Sequence, residues 1–320
     1  MQKDKVIVIC GPTASGKTAL SIELAKKING EIISCDSMQI YKDMNIGTAK
    51  PTKEEMQDIK HHLIDFVSPD ERYSVADYKR DAKKAIKEVL QKGKTPIIVG
   101  GTGLYIDSLI YEIEYQEIPY DEEYRQQLEN RAETEGLEKI WQEAEKIDPL
   151  AIQKISKSDK KRIIRVLEIY HATGKNKTMQ EAESRKKEVE YDYKVYALNW
   201  DRETLYNRIN IRVDQMIENG LIEEVKEIYN KYEKFPTAMQ GLGYKEVVEY
   251  LEGKTTKEEM IEKIKMETRR YSKRQLTWFR KNKQTIWLEA QNDIDKNVKI
   301  ISEGLNWKKK VKKKRAKKRN

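Results

Sequence analysis

The chain has 320 residues, 37% of them charged and 38% hydrophobic, with a mean hydropathy of −0.85 and a net charge of +9. That length supports a full core and more than one domain, and no apolar run approaches the ~20 residues of a membrane span. The reading is a soluble, helix-rich, cytoplasmic protein without a signal peptide. Its two cysteines, Cys10 and Cys35, read as small buried hydrophobes, and its three histidines show no metal-ligand spacing.

The first predicted element is a strand over 5–10, Val6-Ile7-Val8-Ile9-Cys10 being its apolar run. Gly11-Pro12-Thr13-Ala14-Ser15-Gly16-Lys17-Thr18 follows at once. This is the pattern G-x-x-x-x-G-K-[ST], a glycine-rich turn between a strand and a helix whose backbone N–H groups cradle a polyphosphate. Lys17 supplies a cation for the outer phosphate, and the Thr18 hydroxyl can ligate Mg²⁺. Leu20, Leu24 and Ile28 recur at helical spacing, and Asn29-Gly30 ends that helix. The loop indicates polyphosphate without saying whether it is ATP, so nucleotide binding stays open at this point.

A second strand is expected over 31–35, and Asp36-Ser37-Met38-Gln39-Ile40-Tyr41 leaves its end. On open α/β sheets ligands bind outside the carboxyl ends of the strands. Asp36 reads either as a Mg²⁺-holding carboxylate or as a general base beside the polyphosphate, against a plain turn cap. Gln39 adds an amide able to pair with a base edge. Further strands are expected over 62–66 and 95–99, with a helix over 75–91 opened by Ser74 and by Asp77 three residues on. Gly100-Gly101-Thr102-Gly103 follows the strand over 95–99 and lets a ligand approach the backbone.

The strand signal then stops. Residues 121–187 read as a charged helical insertion with breaks at Gly136, Asp148-Pro149 and Gly174, and the strand signal returns once, over 194–199. Long helices close the chain, one opened by Thr255/Thr256 with Glu258/Glu259 three residues on. On that helix Arg269, Arg270, Lys273, Arg274, Arg280 and Lys281 share one face, while Tyr271, Gln275, Trp278 and Phe279 share the other. A one-faced basic helix docked through aromatics suits a nucleic-acid backbone. The ten basic residues of 308–320 exceed the whole net charge, leaving the rest at −1. That segment reads as a disordered tail, either a nonspecific arm for nucleic acid or a solvated end.

The expected fold class is therefore α/β. A P-loop-type parallel sheet has helices on both faces, is interrupted by a helical insertion and is followed by C-terminal helices. The core comprises 1–120 and 188–307, and the insertion 121–187.

Taken in order, the segments resemble the tRNA dimethylallyltransferases. They are the loop 11–18, Asp36 to Tyr41, Ile46-Gly47-Thr48-Ala49-Lys50-Pro51, Gly100 to Tyr105, Asp159 to Glu168, Arg208 to Leu221, Gly241 to Glu246, and Thr268 to Trp278. The resemblance spans about residues 5–290. It implies transfer of a dimethylallyl group from dimethylallyl diphosphate to N6 of the adenosine 3′ of the anticodon, position 37 of tRNA, with release of diphosphate. It implies that Gly11, Pro12, Thr13, Ala14, Ser15, Gly16, Lys17 and Thr18 hold the diphosphate, with Mg²⁺ on Thr18. Asp36 becomes the base, Thr102 its neighbour at the acceptor, and Arg212 a diphosphate clamp.

Ser37, Met38, Gln39, Arg125, Lys161, Arg162, Ile163, Ile164, Arg165, Gly243, Arg270 and Arg274 join Asp36 and Thr102 as expected tRNA contacts. The insertion becomes a clamp on the anticodon stem of a monomeric enzyme. A P-loop kinase of nucleotides or small molecules uses the same loop, and a prenyltransferase of free adenylate uses the same chemistry. Neither needs a helical insertion and a basic helix.

Overall fold

The computed structural model describes residues 3–115, 121–184, 188–291 and 293–317, with side chains as far as 305. The described residues form one six-stranded sheet: β1 (Lys5–Cys10), β2 (Gly30–Ser34), β3 (His61–His62), β4 (Thr95–Gly100), β5 (Asp192–Asn199) and β6 (Ile286–Glu289). The order is β3-β2-β4-β1-β5-β6, and every pairing is parallel. Parallel strands need helical crossovers on both faces, so central strands read as unbroken apolar runs. Val6 to Cys10 are all fully buried for this reason.

Helix starts and stops follow their local chemistry. The helix Val75–Gln91 is opened by Ser74, whose hydroxyl accepts from the Asp77 N–H while Asp77 reaches back. Lys17–Ile28 ends at Asn29 in the left-handed region. Lys257–Phe279 begins at Thr256, boxed with Glu259. The strand expected over 62–66 is only the pair His61–His62. Leu63 and Asp65 adopt positive φ, which ends the extended run. β6 was not expected: Ile286-Trp287-Leu288-Glu289 is four residues long at the sheet edge, with only Leu288 buried, too short for a periodic signal.

Tertiary contacts divide the chain into one unit of residues 1–110 with 190–320 and a second of 111–189. The second unit is helical: Glu122–Thr134, Leu137–Ile147, Pro149–Ile152, Lys160–Thr173 and Lys177–Ser184. Its helices close on a core of Leu128, Ile140, Ile152, Ile163, Ile164 and Leu167. Buried Asp148 holds a corner of it. The carboxylate caps the helix it precedes through Ala151 N (3.0 Å) and accepts from Thr178 N (2.7 Å) and Oγ1 (2.6 Å). The last helix of the first unit runs Ile294–Lys317. The helix reaches into the basic segment 308–320. Residues 318–320 lie outside those described.

Near the amino end of β2, buried Glu31 accepts from His62 Nε2 (2.7 Å), Lys92 Nζ (2.9 Å) and Lys94 Nζ (2.9 Å). Burial opposes its ionisation, but the bonds from His62, Lys94 and Lys92 outweigh burial and hold the carboxyl at about 2, below its ordinary 4.5. A depressed carboxyl stabilises the fold above its unfolded value and loses that contribution as pH falls through its folded value. Glu31→Gln is therefore expected to destabilise the protein by about 1–3 kcal/mol at pH 7. The gap between variant and wild type should close as pH is lowered from about 4.5 to about 2. Thermal melts of both proteins across that range check it, and a gap independent of pH contradicts the account.

Candidate functional site

In a parallel sheet all carboxyl ends share one edge, and here β2, β4 and β1 are consecutive. Cys10 pairs with Gly100, and Ser34 with Val99, so the chain leaves all three strands at nearly the same level. The phosphate loop, the Asp36 loop and the Gly101-Thr102 loop are thereby neighbours.

The phosphate loop is held from outside by its carbonyls. Trp200 Nε1 donates to Ser15 O (3.0 Å), and Arg208 Nε donates to Ala14 O (2.8 Å) while its guanidinium lies 4.7 Å from the Trp200 ring centre. Gly16 takes φ 90° where the helix begins, a conformation costly for residues with a side chain. Ser15 Oγ is buried without a hydrogen-bond partner. Thr13 is different: its N–H donates to Gln275 Oε1 (2.9 Å), so that donor is already engaged.

Lys17 lies over its own loop, donating to Gly11 O (3.0 Å) and Pro12 O (2.6 Å). Burial pulls its ammonium down to about 8; Arg212 adds to the depression, and Asp36 opposes it. Arg212, on the helix Arg202–Glu218, is itself lowered by burial and supported by Asp36 and Glu55. Lys17, Arg212 and Asp36 thus share one electrostatic neighbourhood. Two desolvated cations beside an array of backbone N–H groups are an arrangement that suits an anion.

Asp36 is half-buried and shapes its own turn, its Oδ1 accepting from Met38 N (2.9 Å) and Gln39 N (3.3 Å). Thr102 joins that turn from the next loop. Its Oγ1 accepts from Ser37 N (3.0 Å), and its N–H donates to Cys35 O (3.2 Å). The Gln39 Nε2 donates to Thr48 O (3.2 Å) and Ala49 O (3.1 Å), and its carbonyl oxygen is the other end of the amide. The segment 45–47 is fixed by buried Glu224, which accepts from the N–H of Asn45 (2.8 Å), Ile46 (2.8 Å) and Gly47 (3.1 Å) and from the Tyr244 hydroxyl (2.6 Å). Sequence reasoning missed Glu224, Trp200 and the Arg208 contact, because bonds to backbone carbonyls or N–H groups leave no spacing pattern.

Other expected contacts fall elsewhere. Arg270 and Arg274 are exposed on Lys257–Phe279, Arg270 paired to Glu267 (2.6 Å) and Arg274 5.7 Å from the Tyr271 ring. Arg269 of the same face is half-buried and donates to Asn210 Oδ1 (2.5 Å). Arg280 caps that helix and Lys281 lies beyond it. Gly243 caps Tyr244–Leu251 at φ 95° and donates its N–H to Glu246 (2.8 Å).

Lys161, Arg162 and Arg165 are exposed on the second unit. Arg125 and Arg165 both bond buried Glu168, at 3.0 and 3.1 Å. Ile163 and Ile164, between these exposed cations, are fully buried in that unit's core.

A lysine lowered to about 8 is charged below that pH and neutral above it. Inorganic diphosphate should therefore bind progressively more weakly above pH 8, by up to about tenfold per pH unit. Lys17→Met should lack this component, the ligand's own ionisation being common to both proteins. Calorimetric titrations from pH 7 to 9.5 check it; parallel pH profiles would contradict the charge assignment.

The family model for IPP transferase matches residues 39–282. The tRNA dimethylallyltransferase of Acetivibrio thermocellus is 51% identical over 93% of this chain and 95% of its own. That of Carboxydothermus hydrogenoformans is 50% identical over 95% and 98%. Among solved structures, the full-length tRNA isopentenylpyrophosphate transferase of Bacillus halodurans aligns with TM-score 0.73 and 42% identity, covering 98% of this chain and 99% of that one. A eukaryotic dimethylallyltransferase acting on tRNA aligns with TM-score 0.74 and 33% identity over 90% of this chain and 74% of that one. With most of its length matched by that model and by half-identical relatives, the chain belongs to the IPP transferase family of tRNA dimethylallyltransferases.

Proposed function

We propose that the protein transfers the dimethylallyl group of dimethylallyl diphosphate to N6 of adenosine 37 in tRNA, releasing diphosphate, and that it acts as a cytoplasmic monomer. The observation that carries this reading is the shared strand edge, where an anion site lies beside a carboxylate. The C1–O bond of the donor breaks and a C1–N6 bond forms. The departing oxygen gains negative charge, which Lys17, Arg212 and the loop's N–H groups offset in a half-buried setting where such interactions are strong. N6 loses a proton as it becomes a secondary amine, and Asp36 accepts it before passing it to solvent. Thr102 keeps the Asp36 turn in register through Ser37.

Mg²⁺ fits this site in one way. Among the described residues no three His, Cys, Asp or Glu side chains cluster as a metal cage. The exposed Thr18 hydroxyl and the unsatisfied Ser15 Oγ instead suit an ion held chiefly by the diphosphate. Thr18 would hold it, and when bound it would neutralise leaving-group charge.

Adenosine 37 is stacked in the anticodon loop and must be extruded to reach a strand end. Ser37, Met38, the Gln39 carbonyl and Thr102 border that place. Exposed Arg270, Lys273 and Arg274, and on the second unit Lys161, Arg162 and Arg165, supply cations for the phosphate backbone.

Two substitutions separate the roles. Lys17→Ala should lower turnover roughly 10²-fold or more with little effect on folding, as loss of transition-state charge stabilisation does. Asp36→Asn keeps shape and removes the proton acceptor. Single-turnover transfer should fall about 10²–10⁴-fold while donor affinity across a Mg²⁺ titration stays unchanged. Weakened donor binding rescued by Mg²⁺ would instead make Asp36 a metal ligand, and full activity of Lys17→Ala would remove the diphosphate from the loop.

A further inference from the structure

Gln275 occupies an unusual place. It is buried on the helix Lys257–Phe279, 6% exposed, and its single amide serves two loops. Its Oε1 accepts from Thr13 N in the phosphate loop (2.9 Å), and its Nε2 donates to Gly101 O in the next loop (2.9 Å). The fit leaves no slack: a Cβ on Gly101 would lie 2.2 Å from Nε2. From Gly101 the connection continues through Thr102 Oγ1, which accepts from Ser37 N, to the turn closed by Asp36. Near neighbours on the same helix face are tied to the same edge. Trp278 Nε1 donates to Asp107 (2.9 Å), and the Tyr271 phenol is raised by burial and by the Asp36 charge.

We infer that Gln275 is a positioning residue for transfer, one amide that sets the phosphate loop at a fixed distance from the Asp36–Thr102 turn. This rests on the proposed reaction. In a displacement the leaving oxygen, C1 and N6 must line up, and about 1 Å of misplacement costs about 10²-fold in rate. Donor and acceptor are held by different loops, so neither loop alone fixes that line. An amide is suited to the task because it accepts at one end and donates at the other. Leucine does neither, and an ionised carboxylate can only accept.

The test measures single-turnover transfer to tRNA at saturating donor, with separate dissociation constants for inorganic diphosphate and tRNA. Gln275→Leu is expected to lower the transfer rate about 30- to 100-fold while both dissociation constants stay within about threefold of wild type. Gln275→Glu keeps the acceptor for Thr13 but turns an oxygen toward the Gly101 carbonyl. Its rate should match the leucine variant at pH 8. It should recover relative to wild type as pH falls and the buried carboxyl regains a proton to donate, burial having raised its titration.

A role in folding alone would lower the folded fraction, leave the rate per folded molecule unchanged and give no recovery with pH. Folded Gln275→Leu with a rate within threefold of wild type overturns the inference. So does a loss explained wholly by weaker diphosphate binding. If the leucine variant does not fold, absence of pH recovery in Gln275→Glu overturns it. Failure of wild type to prenylate tRNA refutes the underlying reaction instead, so the two failures are distinct.

Discussion

A parallel sheet delivers every strand end to one edge, and the proposed reaction depends on what this sheet brings together there. β2, β4 and β1 are adjacent and paired in register, so their three following loops begin at nearly one level. Each loop alone is ordinary: a phosphate cradle, an acid-closed turn and a glycine-rich turn. Their juxtaposition makes a place where an anion can leave and a proton can be taken. Moving any one strand by two residues would shift its loop by roughly 7 Å and part the groups.

Charge is managed differently across the first unit. Glu31 is buried and fully met by three donors, and Glu224 is buried and met by three backbone N–H groups and a phenol. These carboxylates brace structure. Lys17 and Arg212 are partly desolvated, which destabilises their charge, and Lys17 makes do with carbonyls of its own loop. A cation so placed gains by receiving an anionic ligand, which is the electrostatic signature of a binding site rather than of a brace.

Much of this was legible in the residues because it rests on local rules. The loop 11–18, the capping boxes at Ser74 and Thr256 and the glycine breaks of the helical insertion depend on short-range spacing. The apolar face of Lys257–Phe279 was legible from periodicity, since Gln275 and Phe279 are buried and Tyr271 and Trp278 half-buried. What escaped depends on contacts distant in sequence. Gln275 is 262 residues from Thr13, and Trp200 is 185 from Ser15. The bonds of the Gln39 amide to Thr48 O and Ala49 O also escape a string, which does not show which carbonyls lie near a side chain. Ile163 and Ile164 sit in a basic segment, and their apolar side chains are in the core of the second unit.

The point at which the chain leaves the sheet has a consequence for how the protein is made. β1 is flanked by β4 and β5, yet about ninety residues separate the end of β4 at Gly100 from the start of β5 at Asp192. At about 5–20 residues per second, ribosomal synthesis of that stretch takes roughly 5–20 seconds. Throughout that interval one flank of Val6-Ile7-Val8-Ile9-Cys10 has no neighbouring strand, and its backbone donors and acceptors offer a template to any other extended chain. A sheet begun before β5 is made would expose that flank for a time set by translation. Synonymous changes that slow decoding between residues 101 and 191 lengthen that exposure without altering a single contact of the finished fold.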